Sequence, residues 1–191
     1  MDIIFDEGYS FGLGIFETIS VVDNHLVLLD YHLDRLSEGS NFLGINLNVT
    51  KEKIQDYIIN NPMENGVLKI IASEKNTIFQ SRENNYTDDK YKKGFTIKIS
   101  SVVRNESSPF TYIKSLNYGD NIIEKRKATK KGYDEPVFLN MKGQLTEGAT
   151  TNIFFVSNNQ IVTPKLSCGL LNGTIRKYIL DKYDVVEKYI Y

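Results

Sequence analysis

A mixed α+β chain in two small domains is the fold class that this sequence predicts, and three observations carry it. Stretches rich in β-branched residues and apolar stripes of helical period follow one another without strict βαβ alternation. A polar, proline-terminated break, RNESSP at 104–109, divides the chain into domains 1–107 and 108–191. No internal repeat or low-complexity tract interrupts either half, and 191 residues are enough for two small cores.

The elements follow in order. GIFETISVVDNHLVLLD (14–30) reads as two strands broken at Asp23-Asn24, a hairpin turn pair. DYHLDRLSEGSNFLGI then places Leu29, Leu33, Leu36 and Leu43 at helical spacing, with Asp30 as the expected N-cap. A second helix starts after Thr50 and carries Ile54, Tyr57 and Ile58 on one stripe. Asn65-Gly66 marks a turn into the strand VLKIIAS, and 74–94 is polar enough to predict mostly loop. GFTIKIS alternates Phe95, Ile97 and Ile99 with Thr96, Lys98 and Ser100, the pattern of a half-buried strand with its apolar side inward. Beyond the break, GDNIIEKRKATKKG predicts a helix closed by Gly132. Three short strands follow, PVFLN, TNIFFVS after a Lys142-Gly143 turn, and QIVTP. A last helix has Ile175, Tyr178 and Ile179 as its stripe.

Composition excludes several classes. A net charge of −1 sets up no field for nucleic acid or an anionic membrane, and the basic helix EKRKATKK reads as a solvated face. No apolar run approaches the roughly 20 residues of a membrane span. The start MDIIFDEGYS carries acids where a secretory signal carries lysine or arginine. With one cysteine, Cys168, no internal disulfide is available, and a cytoplasmic location is expected. His25 and His32 do not belong to any cluster of metal-type spacing, so no metal is expected.

Three places can carry chemistry. In FTYIKSLNYGDN, Lys114 follows a strand-like stretch and enters a turn, and a neutral lysine amine can condense with an aldehyde cofactor. In QLTEGATTNIFF, Glu147 leads small residues into an apolar run, where a carboxylate can be part-buried beside a ligand. In GLLNGTIRKYI, a glycine opens a helix, and its backbone N–H groups and dipole suit a phosphate. An amine for an aldehyde, an acid for a ring nitrogen and a phosphate seat together describe pyridoxal phosphate, in which a protonated ring acts as an electron sink. Residues this common propose the cofactor without selecting it.

With those residues in place, the chain resembles the fold-type IV pyridoxal-phosphate enzymes: branched-chain aminotransferases, D-amino-acid aminotransferases and aminodeoxychorismate lyases. The matching stretches, in family order, are FGLGIFETI, HLDRL, IKSLNYGDNIIEKRKATKKGYDEPVFLN, LTEGATTNIFFV and TPKLSCGLLNGTIRKYI. The resemblance implies a small N-terminal α/β domain, a strand-rich C-terminal domain, pyridoxal 5'-phosphate between them and a homodimer. It implies Lys114 as the Schiff-base lysine and the acid/base. Arg35 and the backbone N–H groups of Thr174 and Ile175 would hold the phosphate. Tyr118 would meet the ring hydroxyl and Glu147 the ring nitrogen, with Thr150 and Leu171 lining the ring. Phe16 falls in the substrate pocket, with Arg82 as a further substrate contact.

FETI and KSLNY look most like the lyase group, which converts 4-amino-4-deoxychorismate to 4-aminobenzoate and pyruvate in folate biosynthesis. The alternatives are a class IV aminotransferase acting on branched-chain or D-amino acids and a catalytically silent relative serving as a binding subunit. The family pattern begins upstream of this chain and continues past Tyr191, which implies a shortened member or a fragment. Where the family reads Gly-Ile-Thr-Arg, this chain has Gly173-Thr174-Ile175-Arg176, so a side-chain hydroxyl moves by one position.

Overall fold

The computed structural model describes residues 2–191. The chain forms two compact units, Met1–Asp88 with Lys114–Asn117, and Asp89–Ile113 with Tyr118–Tyr191. No linear boundary at 107/108 describes this division. Residues 97–99 pair with a strand of the second unit, and the short strap 114–117 returns to the first by hydrogen-bonding its first strand.

In the first unit, α1 (Glu7–Phe11) is capped by Asp6 and precedes β1 (Gly14–Val22) and β2 (His25–Leu26). The turn between them places Asp23 and Asn24 at φ 47° and 63°, the left-handed pair that short polar residues tolerate and that tight hairpins require. α2 (Leu29–Leu43) is entered through Leu28 in a left-handed conformation without a side-chain cap. Asp30 is therefore not the N-cap; it lies in the first turn, paired with Lys51 at 2.9 Å. Thr50 does cap α3 (Lys51–Asn60), accepting from the Lys53 N–H at 3.4 Å.

β3 (Asn65–Ser73) begins at Asn65-Gly66, which are paired with Val22 and Val21 rather than forming a turn. The polar stretch expected to be loop contains β4 (Thr77–Glu83), hydrogen-bonded along β3, and α4 (Asp88–Lys93), which runs into the second unit. The sheet order is β2-β1-β3-β4, all antiparallel. One face packs Ile19, Val21, Leu68 and Ile70 against Ile54 and Ile58 of α3, with Leu29 and Leu33 of α2 alongside. Each such buried side chain contributes about 1.5–3 kcal/mol.

In the second unit, β5 (Ile97–Ile99) runs parallel to β6 (Glu135–Leu139), which pairs with β7 (Leu145–Gly148). The alternation in GFTIKIS is real, but the expected burial is reversed: Ile97 is 58% and Ile99 52% exposed. A 3-10 turn, Pro109–Tyr112, precedes the strap, and α5 (Gly119–Lys130) ends with Gly132 at φ 82° as expected. The predicted TNIFFVS strand shrinks to β8 (Phe155–Ser157), because 151–154 is irregular. Glu147 instead lies within β7. β8 pairs with β9 (Gln160–Pro164), α6 (Thr174–Lys182) follows, and β10 (Val185–Lys188) returns parallel to β9.

The expected stripe of α6 is also corrected. Ile175 is 56% exposed, while Thr174 and Arg176 are its buried residues, the latter tied to Glu187, Asn172 and the Pro164 carbonyl. Among the described residues no helix is long and apolar enough to cross a membrane, and no group of three or more His, Cys, Asp or Glu can hold a metal ion.

Candidate active site

Lys114 sits on the strap that rejoins the first unit. The Phe16 N–H donates to the Lys114 carbonyl at 3.0 Å, Ser115 bridges Ile15, and the Leu116 N–H donates to the Gly14 carbonyl at 2.8 Å. These bonds hold the lysine backbone as an added antiparallel segment on β1. The close approach needs a glycine, since a Cβ at Gly14 would stand 2.6 Å from Leu116 Cδ1 and 2.8 Å from the Ala72 carbonyl oxygen. The half-buried Lys114 side chain places Nζ 4.4 Å from the centre of the Phe16 ring. Phe16 and Lys114, named separately from sequence, are thus brought together.

The strand register adds residues that the sequence reading missed. Phe16 stands opposite Ile71, Thr18 opposite Lys69 and Ser20 opposite Val67, so these side chains share one face. Across β3, Lys69 faces Gln80 and Val67 faces Arg82. No strand residue from Phe16 to Ser20, Val67 to Ser73 or Ile78 to Arg82 on this face is acidic. Lys69 Nζ lies 5.2 Å from the Phe16 ring centre. Arg82 lies on the same face, exposed, with Nη1 donating to the Glu83 carbonyl at 2.9 Å. A lone lysine inside the apolar run VLKIIAS was the available signal for Lys69.

The opposite face carries Arg35. Its Nε and Nη2 donate to the two carboxylate oxygens of Glu17 at 2.7 and 2.6 Å, while His32 Nδ1 lies 2.6 Å from Oε2. All three are buried. Nη1 takes no part in that bidentate pair. Burial pushes the Glu17 carboxyl up, but hydrogen bonds and charge from Arg35 and then His32 outweigh it and hold it near 2. Glu17, an acid inside the strand FETIS, is a second residue that the sequence reading missed.

In the second unit, Glu147 is buried on β7. Its Oε2 accepts from the Leu171 N–H at 3.1 Å and faces Asn152 Nδ2 at 3.4 Å; Oε1 lies 3.4 Å from Arg104 Nη2. The Tyr118 hydroxyl donates to the Ala149 carbonyl at 2.7 Å, an oxygen shared with Asn121 Nδ2. Burial, followed by the Glu147 charge, pushes the Tyr118 phenol up to about 12. Thr150 is exposed, and both its N–H and its hydroxyl donate to Glu135 Oε1, at 2.8 and 3.2 Å.

Leu171 leads through Asn172 to Gly173, which opens α6 without a side-chain cap and with no acid in the first turn. That helix start keeps its positive dipole end uncompensated, and Thr174 is buried there, whereas Ile175 points to solvent. Gly173 packs against Asn152, and a Cβ would stand 2.1 Å from Asn152 Oδ1. Gly173→Ala is therefore expected to push Asn152 off the Leu171 carbonyl it bonds at 2.9 Å, lowering stability by about 1–3 kcal/mol in thermal unfolding. An unchanged melting temperature would show that the loop yields freely.

A groove of about 820 Å³ in the first unit, lined by Leu28, Leu29, Ile58 and Ile59 among others, contains none of these residues. That groove has apolar walls and an exposed Asp30–Lys51 pair, but no clustered buried charges like those around Arg35 and Glu147.

Two units of mixed strands and helices carry these side chains, and the chain as a whole matches a known class of enzyme. The class IV aminotransferase family (Amino-transferase class IV) matches residues 14–191, and the chain belongs to it. Members of this family use pyridoxal phosphate, and the chain is that of a pyridoxal-phosphate-dependent enzyme.

Among curated relatives, the aminodeoxychorismate lyase of Bacillus subtilis (strain 168) is 27% identical over 93% of this chain and 67% of its own length. The D-alanine aminotransferase of Staphylococcus aureus (strain MSSA476) is also 27% identical, over 94% of this chain and 70% of its own. Among solved structures, a Legionella pneumophila protein provisionally named 4-amino-4-deoxychorismate lyase superposes with a TM-score of 0.87 at 25% identity. That match covers all of this chain and 78% of the other.

Proposed function

We propose that this enzyme binds pyridoxal 5'-phosphate and converts 4-amino-4-deoxychorismate to 4-aminobenzoate and pyruvate. The observation that carries the reading is the lysine strap: Lys114 is stitched to β1 by its own backbone, and its side-chain amine stands 4.4 Å from the centre of the Phe16 ring. The residues fit the cofactor by their donor set. Arg35 keeps Nη1 outside its Glu17 pair, α6 opens uncapped at Gly173, and Glu147 is a buried carboxylate held by Leu171 and Arg104. In this reading Arg35 and the Thr174 and Ile175 N–H groups hold the phosphate. Glu147 takes the ring nitrogen, Tyr118 the ring hydroxyl, and Leu171 and Thr150 border the ring.

When bound, the cofactor supplies an electron sink that acidifies the substrate carbon bearing the amine. Lys114 would take the proton from that carbon, the C–O bond on the neighbouring carbon would break to release enolpyruvate, which takes up a proton to become pyruvate, and the ring would become aromatic. Phe16 and its sheet face receive the substrate. That face lacks acidic strand residues and carries Lys69 and Arg82, which suits a substrate with carboxylates.

Similarity to the Bacillus enzyme and the FETI and KSLNY stretches support the lyase over transamination, and the equal identity to the Staphylococcus enzyme keeps an aminotransferase as the second reading. A homodimer and a cytoplasmic location belong to the same proposal.

The test is the visible spectrum of the purified protein with pyridoxal phosphate, followed by borohydride reduction, peptide mapping and product assays. A band with the reduced adduct on Lys114 and pyruvate released supports the lyase, and a keto acid from an amino donor supports the aminotransferase. An adduct scattered over surface lysines, or no band, leaves the silent subunit. Independently, Lys69→Met is expected to weaken binding of 4-aminobenzoate about tenfold, the weight of a charge-assisted contact, while sparing 4-aminobenzamide. Equal affinities for both ligands in the variant and the parent would remove Lys69 from substrate recognition.

A further inference from the structure

We propose that Arg104 is the positioning residue of Glu147, holding its carboxylate ionised and in place for a ring nitrogen; the inference rests on the pyridoxal-phosphate reading. Arg104 lies in the polar break RNESSP, yet its backbone is bonded to the end of β6. Its N–H donates to the Leu139 carbonyl at 2.8 Å, and it bridges Asn140 in parallel. That placement puts the guanidinium 3.8 Å from the Phe138 ring centre, an arginine–aromatic contact beneath a side chain only 11% exposed. Nη1 donates to Asn121 Oδ1 at 3.0 Å. Asn121 in turn donates to the Ala149 carbonyl that Tyr118 also uses, so the guanidinium plane is fixed by α5 and by β6.

The remaining donors are the informative ones. Nε and Nη2 are both buried without a hydrogen-bond partner. A buried donor left unmade costs about 1–3 kcal/mol, and more on a charged group, so two on one guanidinium need a reason. The acceptor beside Nη2 is Glu147 Oε1 at 3.4 Å, close enough for ion pairing and just beyond a good hydrogen bond. A cation at that distance, in a buried site, favours the ionised carboxylate, while Leu171 and Asn152 restrain the other oxygen. The pair therefore presents a carboxylate that is charged, oriented and able to tighten onto Arg104, which is what an acceptor for a ring N–H requires. Lysine could supply the charge but not the planar stack on Phe138.

The experiment measures binding of two probes to the apoprotein: pyridoxamine 5'-phosphate, which needs no aldehyde chemistry, and its 1-deaza analogue, in which a ring C–H replaces the nitrogen. Arg104→Met keeps apolar contact with Phe138 and is expected to weaken pyridoxamine phosphate about tenfold while leaving the deaza analogue unchanged. Glu147→Gln should show the same selectivity, and the double variant should be no weaker than Glu147→Gln alone, because one residue acts through the other. Should Arg104→Met fail to fold, Arg104→Lys serves, with a smaller loss confined to the nitrogen-bearing probe. Equal losses on both probes, additive losses in the double variant, or no loss would overturn the role of Arg104. Failure of the parent protein to bind either probe would instead remove the cofactor reading beneath it.

Discussion

Lys114→Ala is expected to abolish turnover, by at least about 10³-fold, and to remove the site at which borohydride fixes pyridoxal phosphate. The fold should survive, because the contacts that hold the strap are made by the backbone: the Lys114 carbonyl, the Ser115 bridge and the Leu116 N–H. The side chain places a cation 4.4 Å from the Phe16 ring centre, a contact worth about 0.5–1 kcal/mol when part-exposed. Thermal unfolding should therefore move little while activity vanishes. Lys114→Arg sharpens the test: it restores a cation over Phe16 yet cannot shed its proton, so it should recover the stability and none of the chemistry. Turnover within tenfold of the parent in either variant would end the assignment, and a retained adduct would show that another lysine carries the cofactor.

Local chemistry was legible in the sequence, and long-range pairing was not. The Asp23-Asn24 turn and the helix start after Thr50 could be read because such local features are decided by the residues that make them, although the N-cap expected at Asp30 is not formed. The glycine opening α6 is of the same kind, whereas the strand-like stretch expected before Lys114 is a 3-10 turn, Pro109–Tyr112, and the lysine lies on a segment paired to β1. β4 was missed because Ile78-Phe79 is a short apolar pair in a polar run, and only its register against β3 makes it a strand. The stretch 95–99 shows a subtler limit: alternation reveals the period but not which side is covered, and here Ile97 and Ile99 face outward.

The residues missed around the site share one feature. Glu17, Lys69 and Arg104 are single charges in or beside apolar strands, and one sequence cannot tell a solvated charge from a buried, paired one. Glu17 and Lys69 did carry a signal, since each interrupts an apolar run. Arg104 carried little, because the polar residues after it disguise the strand-like backbone before them.

The largest stability effect should come from Glu17→Gln. The carboxylate is buried and takes both Nε and Nη2 of Arg35, so the substitution keeps the shape and leaves a buried guanidinium without its counter-charge. Breaking a buried pair from one side costs about 3–5 kcal/mol. The pH dependence has a definite sign. The folded carboxyl titrates at about 2, below its ordinary 4.5, so its stabilisation is complete above about 4.5 and is lost as pH falls toward 2. The gap between parent and Glu17→Gln, read from denaturant midpoints, should therefore be widest at neutral pH and shrink through that acid window. A gap that stays constant with pH would mean that packing, not charge, explains the loss.

A second variant separates stability from function. Replacing both partners, as Glu17→Leu with Arg35→Met, removes the uncompensated charge and should recover much of the stability, since apolar replacements of buried pairs are often neutral or better. Nη1 of Arg35 is then gone as well, and affinity for pyridoxamine phosphate should fall although the fold is restored. If the double variant were both stable and fully able to bind, the phosphate would have to be held without Arg35, by the start of α6 alone. If it were stable and unable to bind, the buried pair would have a functional explanation, in which Glu17 holds Arg35 still so that one edge of the guanidinium remains for a phosphate.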